Sequence, residues 1–275
     1  MPTETQTSAA AARVGFIGAG KLAGSVIRGL LRAKFCEPHE IIAAEPAEEL
    51  RRSLAAETGI QVTSDNGAVA RTTQVVFLGV KPGVLLPVIH DMAGLIQDKL
   101  VVSLAAGIRL SSMEELAQAR FVRAMTNTPS AVCRAATALA RGRRATDADI
   151  WLLNEIFSAI GVVVEVGEEH IDAVTALSGS GPAFVYSVIE ALADGGKATG
   201  LPDEVALKLA TQTVLGAAQL ALESGASPEE LRRMVITPGG TTAAGLSAME
   251  KHGTTEGLIE AVKAAAARGA EMAKL

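Results

Sequence analysis

The stretch from Val14 to Ser25, VGFIGAGKLAGS, contains the residues whose types and spacing point most directly to chemistry. It predicts a short buried strand, followed by a glycine turn and the start of a helix. Gly18 permits the tight turn, Gly20 leaves no side chain where a pyrophosphate would touch the backbone, and Ala23 lets the helix lie close to the strand. Phosphates would then lie at the helix N-terminus, where free N–H groups favour an anion. The stretch therefore predicts a dinucleotide site.

The residues that follow favour this interpretation over an ordinary strand-turn-helix. A second predicted strand, Glu40 to Ala44, ends at the acidic Glu45. An acid at this position accepts a hydrogen bond from the adenosine ribose and favours NADH. Arg51 and Arg52 lie nearby and would either receive the 2′-phosphate of NADPH or form a solvated helix face. The sequence leaves the choice between NADH and NADPH open.

Further apolar runs of strand length end in small or polar residues. In chain order they are Val75 to Val80 before Lys81-Pro82, Leu100 to Leu104 before Ala105-Ala106, and Phe121 to Met125 before Thr126-Asn127. More strands are predicted from Leu139 onward and over Gly161 to Val166, with a helix from Ala148 to Ile160 between them. Ligands bind along the carboxyl edge of such strands. The alternation of strand and helix predicts an α/β fold with a Rossmann-type, doubly wound parallel sheet.

Beyond Gly167 the pattern changes to consecutive helices. Ala183 to Ala193 is apolar nearly all round, is predicted to be buried, and is expected to end at Gly195-Gly196. A second helix is predicted from Leu201-Pro202 to about Glu223. These helices carry more apolar surface than one bundle readily hides, which favours an intertwined dimer. The predicted division is a loose tail at 1–12, a dinucleotide-binding domain at 13–167 and an all-helical substrate and dimerisation domain at 168–275.

Composition excludes several classes of function. The chain has 275 residues and a net charge of −5, and its basic residues form no cluster longer than a pair, which argues against a nucleic-acid partner. No run reaches the roughly 18 apolar residues that a membrane span needs, so a soluble protein is expected. Cys36 and Cys133 match no metal spacing and no disulfide framework, which indicates a reducing compartment such as the cytoplasm.

The segment Ile236 to Thr242, ITPGGTT, precedes a helix predicted from Ala243 to His252. Two consecutive glycines before a helix present backbone N–H groups as a nest for an anion, for which a carboxylate is suited. An ordinary capped turn, with Thr242 as a plain N-terminal cap, is the alternative.

Other catalytic devices do not fit the sequence. Ser180 lies in S-G-S-G rather than in the G-x-S-x-G of a hydrolase, and Gly195-Gly196-Lys197 lacks the earlier glycine of a P-loop. The histidines are scattered without metal spacing, so surface positions and no metal site are predicted for them: His39, His90, His170 and His252. A nicotinamide site without an evident base suggests a substrate whose reduction needs little help from a proton donor, such as an imine.

The chain resembles the pyrroline-5-carboxylate reductases in motifs that cover nearly all of it after the tail. These are FIGAGKLAGS, FLGVKPGVL, SLAAGI, RAMTNTPSAV, DAVTALSGSGPAFVYSVIEALADGG, GLP and TPGGTTAAGLSAME, in the order and spacing of that family. The resemblance implies reduction of 1-pyrroline-5-carboxylate to L-proline with NADPH or NADH. It also implies an N-terminal Rossmann domain and a C-terminal helical domain that interlocks with a partner subunit, giving a homodimer of the kind from which family decamers are built.

The resemblance also implies which residues bind. The cofactor would contact Gly18, Ala19, Gly20, Lys21, Leu22, Glu45, Asn66, Val80, Lys81, Pro82, Ala105 and Ala106. The substrate would contact Asn127, Thr237, Gly240, Thr241 and Thr242. The Thr242 hydroxyl is the predicted catalytic group, hydrogen-bonded to the ring nitrogen while N–H groups of Gly240 and Thr241 hold the carboxylate. Glu45 stands where family members carry serine or another small polar residue, which favours use of NADH at least comparable to that of NADPH.

Two other functions stay open at this point. A hydroxyacid dehydrogenase of the 6-phosphogluconate type would share the opening domain and the helical tail, but it needs a catalytic lysine in a glycine-rich context that Lys197 and Lys208 lack. A nucleotide-sensing oligomeric scaffold without turnover is the second alternative. The intact MTNTP and PGGTT stretches argue against it.

Overall fold

A computed structural model of the chain describes residues 13–272, so the tail predicted at 1–12 lies outside the described residues. The chain divides into two compact units. The first runs to Gly179 and includes the chain from Ala265 onward, and the second is Ser180–Ala264. The predicted boundary at 167/168 falls twelve residues before the observed division, and the two units are described separately below.

The sheet has eight strands: β1 (Val14–Ile17), β2 (Ile41–Ala44), β3 (Gln61–Thr63), β4 (Val75–Leu78), β5 (Leu100–Ser103), β6 (Arg120–Met125), β7 (Ala135–Arg141) and β8 (Gly161–Glu165). Seven helices begin between residues 13 and 179: α1 (Lys21–Arg32), α2 (Glu48–Thr58), α3 (Asn66–Thr72), α4 (Pro82–Met92), α5 (Leu110–Glu114), α6 (Asp147–Ser158) and α7 (Ile171–Val174). The later helices are α8 (Gly181–Ala198), α9 (Asp203–Glu223), α10 (Pro228–Met234), α11 (Thr241–Lys251) and α12 (Thr254–Met272). Short 3-10 helices span Pro38–Glu40, Thr128–Val132 and Glu168–His170, and a π-helical turn spans Thr175–Gly179.

The strand order is β3-β2-β1-β4-β5-β6-β7-β8. Neighbouring strands run parallel except β6 and β7, which pair antiparallel with Met125 opposite Ala138. The prediction of a parallel sheet is therefore right for most of it and wrong at this pair. Only residues 126–134 connect the two strands, fewer than the dozen or so that a parallel crossover needs. β7 also begins earlier than the predicted Leu139, at Ala135.

Both faces of the central strands are buried, which explains why they are apolar throughout rather than alternating. Every residue of β1, β2, β4 and β5 is buried. On one face the rings of Phe16 and Phe77 stack with centroids 4.8 Å apart, and Phe157 of α6 meets Phe77 edge-on at 5.9 Å. This double packing holds the carboxyl ends of the strands in fixed register.

The second unit is helical, as predicted. The α8–α9 pair is centred on small residues, Ala193, Ala206 and Ala210. The predicted end of α8 at Gly195-Gly196 is wrong, because the helix continues to Ala198. A Cβ atom on Gly196 would lie 3.2 Å from the Cβ of Ala206, so this glycine serves close packing of α9 rather than helix termination.

The prediction that this helix is buried also fails within one chain. Tyr186 is 56% exposed, Leu192 is 49% exposed, and Leu215 of α9 is 54% exposed. Apolar patches of this kind mark protein–protein interaction sites. The faces that the sequence predicted to be buried are thus left uncovered by their own chain.

Helix α9 is long and apolar enough to cross a membrane by length and composition alone, with only 11% of that window buried. It contains no continuous run of 18 apolar residues, because Lys208, Thr211 and Gln212 interrupt it. One such helix is also what an apolar interface between subunits produces.

Candidate functional site

The glycine turn between β1 and α1 has the geometry of a phosphate site. Gly18 has φ +83°, and a Cβ there would lie 2.8 Å from Cγ1 of Val80, so only glycine fits. Gly20 is the N-cap of α1, and apart from its chain neighbours no atom of residues 13–272 lies within 4 Å of the position that its Cβ would occupy. Within the same described residues no side chain caps the N-terminus of α1. The first N–H groups of this helix therefore face open space and are free to bind an anion.

Ala23, in the third position of the glycine motif, lies where the helix crosses the sheet. A Cβ on Gly79 would be 2.6 Å from the Cβ of Ala23, which is itself fully buried. The N–H of Gly79 donates to the Ile17 carbonyl at 2.8 Å and joins the ends of β1 and β4. Small residues on both sides thus let α1 approach the strand ends closely.

Glu45 follows β2 and points back into the glycine turn. Its carboxylate accepts from the N–H of Ala19 (Oε2, 3.1 Å) and from the N–H of Ala47 (Oε1, 3.1 Å), and the residue is 9% exposed. The side chain is held by two backbone donors, which fixes its position beside the site predicted for the adenosine ribose. An acidic group is thereby built into the wall of the turn.

The two neighbouring arginines differ. Arg51 Nη1 donates to the carbonyls of Glu45 (2.7 Å) and Pro46 (3.1 Å), so it is folded onto the end of β2. Arg52 pairs with Glu48 on the surface and is 79% exposed. The interpretation as a solvated helix face holds for Arg52 but not for Arg51.

The other residues predicted for the cofactor lie along the same edge of the sheet, at the carboxyl ends of parallel strands. Asn66 begins α3 after β3, Lys81 is the N-cap of α4 after β4, and Ala105 follows β5. The Leu104 N–H donates to the Leu78 carbonyl at 3.0 Å and ties β5 to β4 at this level. The structure therefore brings the predicted cofactor residues together on one edge, where ligands bind in open α/β sheets.

Asn127 lies at the carboxyl end of β6 and is 8% exposed. Its Nδ2 donates to the Ser178 carbonyl at 3.0 Å, and its Oδ1 accepts from the Ala136 N–H at 3.1 Å. The amide thus joins three segments of the first unit. One amide hydrogen and one oxygen lone pair are left for the predicted contact with substrate.

The TPGGTT segment lies in the second unit at the start of α11. Gly239 has φ +70°, and Gly240 is the N-cap, with its N–H donating to the Thr237 carbonyl at 2.9 Å. A Cβ on Gly240 would lie 2.2 Å from Oγ1 of Thr237, so a side chain is excluded there. Among the residues that the structure describes, no side chain caps the N-terminus of α11. Its first N–H groups are therefore open to an anion.

This geometry corrects one alternative. Thr242 is the second residue of α11, half-buried, and is not the N-terminal cap. Thr241 is exposed and Thr242 is half-buried. The Thr242 side chain is thus not needed to cap the N-terminus of α11 and is available for another role.

The proposed cofactor and substrate positions include no histidine or cysteine. All four histidines lie at the surface, as predicted. Burial raises the pKa of the Cys36 thiol to about 11, so this cysteine is not a nucleophile at neutral pH. Residues 13–272 contain no group of three or more His, Cys, Asp or Glu side chains placed to hold a metal ion.

Sequence reasoning missed a buried charge. Arg123 lies among the apolar residues 121–125 of strand β6 and is 3% exposed. A cation within the run FVRAM was the available signal, and it was passed over because the run was treated only as a strand.

Two known protein families match different parts of the chain. Residues 168–272 match the family described as pyrroline-5-carboxylate reductase dimerisation, and residues 13–107 match the NADP oxidoreductases described as coenzyme F420-dependent. The second match covers the glycine turn and the ends of β1 to β5.

Proteins that are similar over nearly the whole chain are reductases of the same kind. The pyrroline-5-carboxylate reductase of Methanosarcina acetivorans is 43% identical over 95% of this chain and 98% of its own length. That of Pisum sativum is 45% identical over 94% of this chain and 95% of its own. The crystal structure of the Plasmodium falciparum pyrroline carboxylate reductase with NADP bound superposes with a TM-score of 0.87 at 27% identity, covering 96% of this chain and 99% of that one. Since identity at this level extends over nearly the whole of both chains, this protein belongs to the pyrroline-5-carboxylate reductase family.

Proposed function

We propose that this protein reduces 1-pyrroline-5-carboxylate to L-proline with NADPH or NADH, the last step of proline biosynthesis. The observation that carries the proposal is the end-to-end similarity to reductases of that name, at 43% identity over 95% of the chain. The open N-terminus of α1 behind Gly20 supports it, because a dinucleotide phosphate needs such a position.

The proposed division is a dinucleotide-binding domain at residues 13–167, which also contains the substrate contact Asn127, and a helical substrate and dimerisation domain at residues 168–275. The residues proposed to contact the cofactor are Gly18, Ala19, Gly20, Lys21, Leu22, Glu45, Asn66, Val80, Lys81, Pro82, Ala105 and Ala106. Lys21 and Lys81 are exposed beside the strand ends and add positive charge near the phosphates. Because the Glu45 carboxylate would repel a 2′-phosphate and accept from a 2′-hydroxyl, NADH is expected to be used at least comparably with NADPH.

The substrate carboxylate is assigned to the open N–H groups at the start of α11. Gly240 and Thr241 would donate to it, with Thr237 and Asn127 as further contacts. The Thr242 hydroxyl would hydrogen-bond the ring nitrogen. When bound, NAD(P)H supplies the hydride that the imine carbon accepts. A protonated ring imine already carries the positive charge that attracts hydride, so the chain needs to orient and hold the ring rather than donate a strong acid; positioning alone supplies several kcal/mol.

The assembly is proposed to be a homodimer formed through the helical segment, with dimers associating further into a decamer. The match of residues 168–272 to a dimerisation family supports the first step. The exposed apolar residues on α8 and α9 support it as well, and Tyr186 and Leu215 are examples. We assign the protein to the cytoplasm, with neither a membrane nor a nucleic acid as partner, on its free cysteines and its net charge of −5.

The proposal is tested by following oxidation of NADH and of NADPH with pyrroline-5-carboxylate, against a panel of 2-hydroxyacids assayed in the oxidative direction. Turnover of the ring imine with formation of L-proline is expected. Turnover of a hydroxyacid instead would favour a dehydrogenase of the 6-phosphogluconate type. Cofactor binding without any turnover would favour a nucleotide-sensing scaffold.

A further inference from the structure

Arg123 lies beside the start of the segment that follows β5 and is linked through Glu168 to the end of that segment. In the sheet it is the cross-strand neighbour of Ser103, the last residue of β5, whose Oγ accepts from the Ala105 N–H at 3.3 Å. Nη1 of Arg123 donates to Oε1 of Glu168 at 3.0 Å. The same oxygen accepts from the N–H of Leu110, the first residue of α5, at 2.6 Å.

The segment held in this way is 104–109, which contains the cofactor positions Ala105 and Ala106. Its beginning is fixed at Ser103, beside Arg123, and its end is fixed at Leu110 through Glu168. A short loop anchored at both ends has few conformations. Ligand binding then does not have to supply the free energy of ordering the loop. The contacts therefore bear on how the cofactor edge is shaped.

The energetics argue against a purely stabilising ion pair. The Arg123 side chain is 4% exposed, and its Nε and Nη2 atoms have no hydrogen-bond partner among residues 13–272. Burying a guanidinium with part of its hydrogen-bonding capacity unused is unfavourable, and apolar residues in place of a buried pair are often neutral or stabilising. An apolar residue in place of Arg123 would match its apolar strand neighbours, Phe121, Val122, Ala124 and Met125. A charged group kept there at such a cost indicates a role other than stability.

We propose that Arg123 and Glu168 are positioning residues that hold segment 104–109 in the form that binds the nicotinamide cofactor. This inference rests on the proposed activity only for its kinetic readout, because cofactor binding is measured without substrate. Neither side chain is assigned a contact with the reacting atoms.

The test replaces Arg123 with methionine and measures the Kd of NADPH by its fluorescence, the KM of each substrate, kcat and the melting temperature. Arg123→Met is expected to raise the Kd and KM of the cofactor between about tenfold and a hundredfold, as a displacement of about 1 Å does, with the KM of pyrroline-5-carboxylate changed less than about twofold. Glu168→Gln keeps an oxygen for the Leu110 N–H and is expected to act in the same direction with a smaller effect. Because Glu168 is part-exposed, Glu168→Gln is the variant to measure if Arg123→Met does not fold.

Arg120→Met is the matched control. Arg120 lies on the other face of the same strand and pairs through Nε with both carboxylate oxygens of Asp149, at 3.1 and 2.9 Å. It should lower the melting temperature but leave the cofactor Kd within about twofold. If Arg123→Met leaves the cofactor Kd within about twofold of the wild-type value, whether or not its melting temperature changes, the inference is overturned. If the wild-type protein binds NADPH but does not reduce the imine, the proposed activity fails while the Kd comparison still decides the role of Arg123.

Discussion

The sheet unit and the helical unit use their apolar residues in opposite ways. In the first, every residue of β1, β2, β4 and β5 is buried within the chain. In the second, α10 and α11 bury no residue, and α8 buries only Ala193. The first unit satisfies its hydrophobic pattern alone, whereas the second leaves its apolar surface for another chain. A long apolar helix therefore predicts burial without saying which molecule provides it.

The largest expected effect separates these two situations directly. Leu215 on α9 and Leu50 on α2 are almost equally exposed in the single chain, at 54% and 55%. Leu215→Glu should dissociate the dimer at micromolar concentration, because a carboxylate in an apolar interface costs several kcal/mol. Leu50→Glu should leave assembly and stability nearly unchanged. Sedimentation velocity on both variants distinguishes them, and a wild-type monomer at micromolar concentration would contradict the proposed dimer.

The second prediction concerns the binding position in the helical unit. Thr242→Val removes a hydroxyl and little volume, and because Gly240 is the N-cap of α11 the melting temperature should hold. One hydrogen bond contributes on the order of 1 kcal/mol, more when its partner is charged, so kcat/KM should fall roughly tenfold to a few hundredfold. Steady-state kinetics and thermal melting on the same preparation test this. A destabilised variant with unchanged kcat/KM would remove Thr242 from the site.

A third prediction addresses the phosphate position in the sheet unit. Apart from chain neighbours and the backbone of their own helix, no atom in the described part of the chain lies within 4 Å of a Cβ built on Gly20 or on Gly83, so alanine at either should leave the fold intact. Gly20→Ala should nevertheless raise the cofactor KM by about tenfold, because a methyl group would stand where the pyrophosphate meets the backbone. Gly83→Ala is the control and should leave the cofactor KM unchanged. Equal KM values for the two variants would place the phosphates elsewhere.

The smallest effect is expected at Glu45. Glu45→Ser removes a negative charge beside the ribose, and the ratio of kcat/KM with NADPH to that with NADH should rise by about tenfold. Loss of the bonds to Ala19 and Ala47 should lower stability by about 1 kcal/mol. Kinetics with both cofactors, together with chemical unfolding, measure the two effects separately. An unchanged ratio would mean that the carboxylate serves only the turn.

Local patterns were enough to predict the glycine turn, the central strands and most helix starts. Gly18 does what its type indicated, because a left-handed φ is a property of the residue itself. The reversal of β7 was missed although the short link after Met125 already excluded a crossover. The continuation of α8 through Gly195-Gly196 was missed because the helix that packs on those glycines is distant in sequence.

The amino-acid sequence by itself determined the family, the Rossmann-type sheet and the two glycine-rich helix entries, since these depend on backbone freedom and on the period of apolar residues. Only the tertiary structure decided what the polar side chains do. It tied Glu45 to the Ala19 N–H, committed half of the hydrogen-bonding capacity of the Asn127 amide to the backbone, and joined Arg123 to Leu110 through Glu168. Such contacts join residues far apart in the chain, and their geometry exists only once the strands are in register.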